Sequence, residues 1–145
     1  MLVRLLYASR SIAEIDDALL SAIMERSGRY NTEYGITGLL CSYPQGQVFL
    51  QALEGGREAV NSLYGNILRD PRHREVTLLH YSEINERMFS GWRMGSVNLS
   101  RVNLGSILRF SEKPVLDPFT LCGQTALKLL QELTGTAAIT SRDCA

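Results

Sequence analysis

Residues 35–53 read GITGLLCSYPQGQVFLQAL. Two strand-forming runs, 35–43 and 47–53, flank Pro44-Gln45-Gly46, which has the chemistry of a tight turn. So short a connection makes the two runs antiparallel neighbours. In the second run, alternation places Phe49, Gln51 and Leu53 on one face and Leu50 and Ala52 on the other. Gln51 thus shares its face with apolar side chains. A buried amide without partners costs roughly 1–3 kcal/mol, so something must bond to it. A neighbouring side chain, a water and a bound molecule are equally good answers at this level.

Upstream, residues 2–9 (LVRLLYAS) predict an opening strand with Val3, Leu5 and Tyr7 on one face. Taken alone, Tyr7 reads as a core tyrosine. Ser11 and Glu14 fit a capping box. The helical spacing of Ile15, Leu19, Ala22, Ile23 and Arg26 then predicts a helix over 12–28, with Gly28 as the stop. Asn31 falls just after it, where an asparagine ordinarily caps or turns the chain.

Downstream, Glu54-Gly55-Gly56 ends the third strand. A helix over 57–68 carries the stripe Val60, Leu63, Tyr64 and Ile67. Asp70-Pro71 breaks it. Residues 74–82 (REVTLLHYS) predict a fourth strand and 91–98 (GWRMGSVN) a fifth, with Trp92 and Met94 on one face. This order is the α+β ferredoxin-like plan, a βαββαββ sheet with two helices on one face. Its first and third strands are the central pair, so Tyr7 and Gln51 face each other. A phenol and an amide in an apolar setting form a reversible hydrogen-bond unit, because the amide can present its donor or its acceptor end.

After Ser100 the patterns over 100–112 and 119–134 are helical, with Pro114 and Pro118 between them. The expected division is a domain over 1–98 and a C-terminal helical extension over 99–145, frayed from Thr136 on. The stripe Leu121, Leu129, Leu130 and Leu133 needs a surface to cover, either the open sheet face or a second subunit. A homo-oligomer is expected on that ground.

Composition narrows the function. A chain of 145 residues holds one core. Fifteen basic and fifteen acidic side chains cancel, which argues against nucleic acid as a partner. No apolar stretch approaches the roughly 20 residues of a membrane span. Three cysteines without a CxxC argue against a disulfide or zinc framework and for a cytoplasmic setting. No metal site is expected. A phosphate-handling enzyme on this fold would need an anion-cradling loop after the first strand, and residues 8–11 are Ala-Ser-Arg-Ser, without glycine. An RNA-binding module would need an aromatic pair on the third strand.

Five segments, in order, carry a family resemblance: LLYAS with Tyr7; Asn31 followed by GITGLL (35–40); FLQALEG (49–55) with Gln51; RDPRH (69–73); and FSGWRM (89–94) with Trp92 and Met94. From Leu2 to about Val97 the chain resembles the BLUF domain, a flavin-binding blue-light sensor. The resemblance implies a non-covalently bound FAD, with FMN as the alternative, lying between the two helices against the sheet. It implies that Tyr7 gives an electron and a proton to the excited flavin. Gln51 would stand between Tyr7 and flavin N5 and change orientation or tautomer. Asn31 would bond the polar edge of the ring, Ile23 and Ile67 would wall it, and Arg72 and His73 would flank ring and tail, with Asp70 close by. Trp92 or Met94 would pass the change to the fifth strand. It implies a sensor and not an enzyme, signalling to an unidentified downstream protein; a small flavin- or phosphate-handling enzyme is the alternative. Two positions depart from the family. Asn66 stands where some relatives carry an arginine near the flavin phosphate, and Tyr30 where others carry a polar residue.

Overall fold

In a computed structural model, which describes residues 1–135, the chain forms β1 (Leu2–Ser11), α1 (Asp17–Tyr34), β2 (Thr37–Tyr43), β3 (Val48–Gly56), α2 (Arg57–Arg69), β4 (His73–Ile84), β5 (Gly95–Asn98), α3 (Leu104–Leu108) and α4 (Gly123–Leu133). Single 3-10 turns occupy Pro44–Gly46, Leu99–Arg101 and Pro118–Thr120. The expected fraying from Thr136 lies outside the described residues.

The sheet order is β4-β1-β3-β2-β5, so β1 and β3 lie inside as the ferredoxin-like plan requires. β1 pairs antiparallel with both β3 and β4, and β2 pairs antiparallel with β3. The added strand β5 is an edge, parallel to β2. Register puts Tyr7 opposite Gln51, and Gln51 opposite Leu40 on its other side.

Both faces of the sheet are covered. Leu5, Tyr7, Leu40, Phe49 and Leu53 face α1 and α2. Leu6, Ala8, Leu39, Cys41, Leu50 and Ala52 face the C-terminal segment, chiefly Ile107, Leu116, Ala126, Leu129, Leu130 and Leu133. This explains why β3 is buried from Val48 to Gly55: a strand covered on both sides reads as a nearly continuous apolar run. The apolar stripe of α4, the ground for expecting a second subunit, is spent on the protein's own sheet.

Local signals and tertiary structure part company in four places. The first helix begins at Asp17, not Ile12, and its cap is Asp16, whose carboxylate accepts from the Leu19 amide at 2.8 Å. Ser11 does not cap it. That residue is still in β1, where its amide donates to the Gln47 carbonyl at 2.7 Å. The helix also runs through Gly28, which is buried, and ends at Gly35. Gly35 has φ 68°, the left-handed conformation glycine adopts freely. Asn31 therefore lies in the last turn of α1 and not beyond it. Third, the 100–112 pattern yields only the five-residue α3, because the Asn98 and Asn103 side chains accept from the Ser100 and Gly105 amides and break the segment into turns. The fifth strand likewise begins at Gly95, four residues later than its pattern suggests.

Candidate functional site

Between α1, α2 and the sheet lies a cavity of about 150 Å³. Its floor is β1 and β3. Tyr7 and Gln51 project from opposed positions, and the Tyr7 hydroxyl donates to Gln51 Oε1. The Gln51 Nε2 donates in turn to Met94 Sδ at 3.4 Å. Burial pushes the Tyr7 pKa up, helped by the nearby Tyr64 hydroxyl and Asp70 carboxylate. The phenol is therefore protonated at any ordinary pH and serves as the donor. Its ring is 5.8 Å from that of Tyr64 and edge-on to that of His73 at 6.4 Å.

The walls are Ile23 of α1 and Ile67 of α2. Asn31 closes one end. Its Nδ2 donates to the Arg93 carbonyl at 2.7 Å, while its Oδ1 is buried with no hydrogen-bond partner. Such an acceptor is costly unless something donates to it. Asp70 and Arg72, on the turn from α2 to β4, and His73, the first residue of β4, also line the cavity. The Arg72 Nη2 donates to Asp70 Oδ2 at 2.6 Å, and the Arg72 amide donates to Asp70 Oδ1 at 2.9 Å. This clamp pulls the Asp70 pKa down to about 2. The His73 Nε2 donates to the Ile67 carbonyl at 2.6 Å, and its Nδ1 lies 2.9 Å from Ser9 Oγ.

Eight residues marked from the sequence as binding (Tyr7, Ile23, Asn31, Gln51, Ile67, Asp70, Arg72, His73) and Met94 thus line one cavity. Trp92 does not. It packs, half-buried, against the C-terminal layer on the far side of the sheet, while Met94 is buried on the cavity side. The one-face reading assumed a regular strand, but residues 91–94 are a turn and bend with a single bridge, the Gly38 amide donating to the Trp92 carbonyl at 3.1 Å.

The cavity suits a flat apolar ring with a hydrogen-bonding edge: aliphatic walls, a phenol–amide pair on the floor and an unsatisfied amide oxygen at one end. The comparisons agree. The sequence profile of the BLUF family, "Sensors of blue-light using FAD", matches residues 2–95. The chain belongs to the BLUF family. BLUF domains are blue-light sensors, and FAD is their cofactor. Among solved structures, the photo-activated state of BlsA is 31% identical with a TM-score of 0.84, covering 95% of this chain and 98% of that one. The dark state of BlrB, a BLUF protein, is 31% identical with a TM-score of 0.74, covering 92% and 94%. The beta subunit of the photoactivated adenylate cyclase of Euglena gracilis is 38% identical over 96 residues, 66% of this chain. The chain spans only 11% of that cyclase subunit's length.

Two residues of this BLUF chain escaped sequence reading. Glu54, at the end of β3, is completely buried; its carboxylate accepts from Arg4 Nε at 2.8 Å and from the Met88 and Phe89 amides at 2.9 and 2.6 Å. An acid before Gly-Gly reads as a solvated strand end, and its partners are 34 to 50 residues away. Arg26 lines the cavity; it falls on the stripe face of α1, where its charge gave no sign of a ligand site. Cys41 is buried within the far-side core, where burial pushes its thiol pKa up. Arg10 pairs with Glu75 at 2.7 Å and covers the Phe119 ring at 4.5 Å. Among the described residues no helix is long and apolar enough to cross a membrane, and no group of His, Cys, Asp and Glu could hold a metal ion.

Proposed function

We propose that this chain is a light-sensing module without catalytic output, whose switch is the chain Tyr7–Gln51–Met94, and that it signals by protein–protein contact. The observation that carries this reading is the pair of hydrogen bonds made by the Gln51 amide, accepting from a buried phenol and donating to a thioether in a cavity that suits a flat ring. Asn31 Oδ1 would accept from the polar edge of the ring, Ile23 and Ile67 would sandwich it, and Asp70, Arg72 and His73 would border ring and tail. When bound, the flavin absorbs blue light and becomes, in its excited state, a strong one-electron oxidant.

Tyr7 is the oxidisable residue on the cavity floor. A phenol that loses an electron becomes strongly acidic, and the acceptor bonded to its hydroxyl is Gln51 Oε1. The proton therefore has a path to the amide, and when electron and proton both return to Tyr7 the amide can be left turned or tautomerised. Of the two bonds the turn breaks, the one to Met94 is weak, because a thioether is a weak acceptor. One hydrogen bond is worth only about 1 kcal/mol net, so the output must be an element poised between two arrangements. Residues 91–94 suit that role. Met94 reads the Gln51 amide, the Arg93 carbonyl is held by Asn31, and Trp92 lies in the C-terminal layer.

The test is a light-minus-dark absorption spectrum of the purified protein and of Gln51→Leu. A yellow wild type with a reversible red shift, and a variant that holds flavin but shows none, support the reading. A normal shift in Gln51→Leu removes Gln51 from the switch.

A further inference from the structure

We propose that Arg26 holds the phosphate of the bound flavin, so that the site takes phosphorylated flavins in preference to riboflavin; this rests on the flavin-site reading above. Three basic side chains line the cavity: Arg26, Arg72 and His73. Two are committed elsewhere. Arg72 is clamped on the Asp70 carboxylate through both Nε and Nη2, at 2.6 to 3.1 Å. Both ring nitrogens of His73 are engaged, by Ser9 and by the Ile67 carbonyl. Arg69, on the neighbouring stretch of α2, donates to Asn66 Oδ1 at 2.6 Å and lies outside the lining. Arg26 alone has no hydrogen bond or ion pair among the described residues.

Its position suits the task. Arg26 lies three residues after Ile23 and four before Tyr30, all of which line the cavity, so the three share one face of α1. The side chain is exposed where Asn31 is buried, which puts the cation at the open end and the ring-binding amide at the closed one. A ligand with an apolar ring at one end and a phosphate at the other matches that polarity. The guanidinium fork pairs bidentately with phosphate oxygens. The Ser27 hydroxyl, next along the chain and also lining the cavity, is a further donor. The Asp70 carboxylate does not oppose this, since Arg72 already balances it.

The experiment uses the full chain stripped of flavin and titrated with riboflavin, FMN and FAD, followed by flavin fluorescence, for wild type, Arg26→Ala and Arg26→Lys. Wild type should bind FMN at least about tenfold more tightly than riboflavin, as one charge-assisted contact would give. Arg26→Ala should lose most of that ratio by weakening FMN and FAD while leaving riboflavin unchanged, and Arg26→Lys should recover part of it. Salt should weaken FMN binding to wild type more than to Arg26→Ala. An unchanged FMN-to-riboflavin ratio in Arg26→Ala, or no preference in wild type, overturns the proposal with the flavin site intact. Failure of wild type to bind any of the three overturns the site reading and the proposal together.

Discussion

Tyr7 and Phe differ by one oxygen, and at this position that oxygen does everything the ring itself cannot. The buried hydroxyl is held protonated and bonded to Gln51. Tyr7→Phe keeps the packing against Tyr64 and His73, so the variant should fold and hold flavin. It should show no light-induced shift and a longer flavin fluorescence lifetime, read by steady-state absorption and time-resolved emission; an ordinary photocycle would return Tyr7 to the core. Trp92 is a poor substitute donor because it lies across the sheet. Asp70 gives a pH signature. Its pKa is about 2 in the fold against an ordinary 3.8, so its contribution is fully present above pH 3.8 and is lost as pH falls through about 2. The pair is partly exposed, so Asp70→Asn should cost only about 0.5–1 kcal/mol near neutrality. Urea midpoints of wild type and variant should converge towards pH 2. A gap that stays constant with pH would mean the charge is not its source.

Between β4 and β5 the chain has little regular structure, yet it is fastened at both sides of the sheet. Glu54 binds the Met88 and Phe89 amides, Arg87 Nη1 donates to Thr37 Oγ1 at 3.0 Å, and Asn31 and Gln51 hold Arg93 and Met94. Removing the Glu54 carboxylate leaves a mostly buried guanidinium and two amides without their acceptor. Glu54→Ala should therefore destabilise the protein by about 3–5 kcal/mol, with hydrogen exchange rising first at Met88 and Phe89. Replacing Arg4 and Glu54 together by Met and Leu should cost much less, since no charge is then stranded. Equal losses in the two variants would show that the ion pair is not what holds the segment.

The molecule as a whole is three layers, with one sheet shared by the flavin-side helices and the C-terminal segment. Docking of the last layer is close: a Cβ added at Gly123 would lie 2.0 Å from the Leu79 carbonyl oxygen. Only glycine permits that approach at the start of α4. Leu129, Leu130 and Leu133 are fully buried, and each contributes about 1.5–3 kcal/mol on burial. Truncation after Leu99 strips that cover from the sheet and should lower both stability and solubility, measured by thermal melting and sedimentation. A truncated chain that stays monomeric, soluble and equally stable would make the C-terminal layer dispensable.

Alternation over 47–53 is enough to assign Gln51 its face, and the order of elements is enough to make its strand the neighbour of Tyr7's, while the register that sets the two residues opposite each other comes from the folded sheet. The family resemblance then marks Ile23, Asn31, Ile67, Asp70, Arg72, His73 and Met94 of the cavity lining. What local pattern cannot weigh is a hydrogen bond to a residue far along the chain. Ser11 could cap a helix or pair in a strand, and the Gln47 carbonyl decides for the strand. Trp92 and Met94 part to opposite faces because Gly38 and Asn31 hold the intervening backbone out of regular form. Glu54 is buried because three donors from two distant segments converge on it. In each case the competing local and non-local bonds are of similar strength, so only the assembled tertiary structure selects between them.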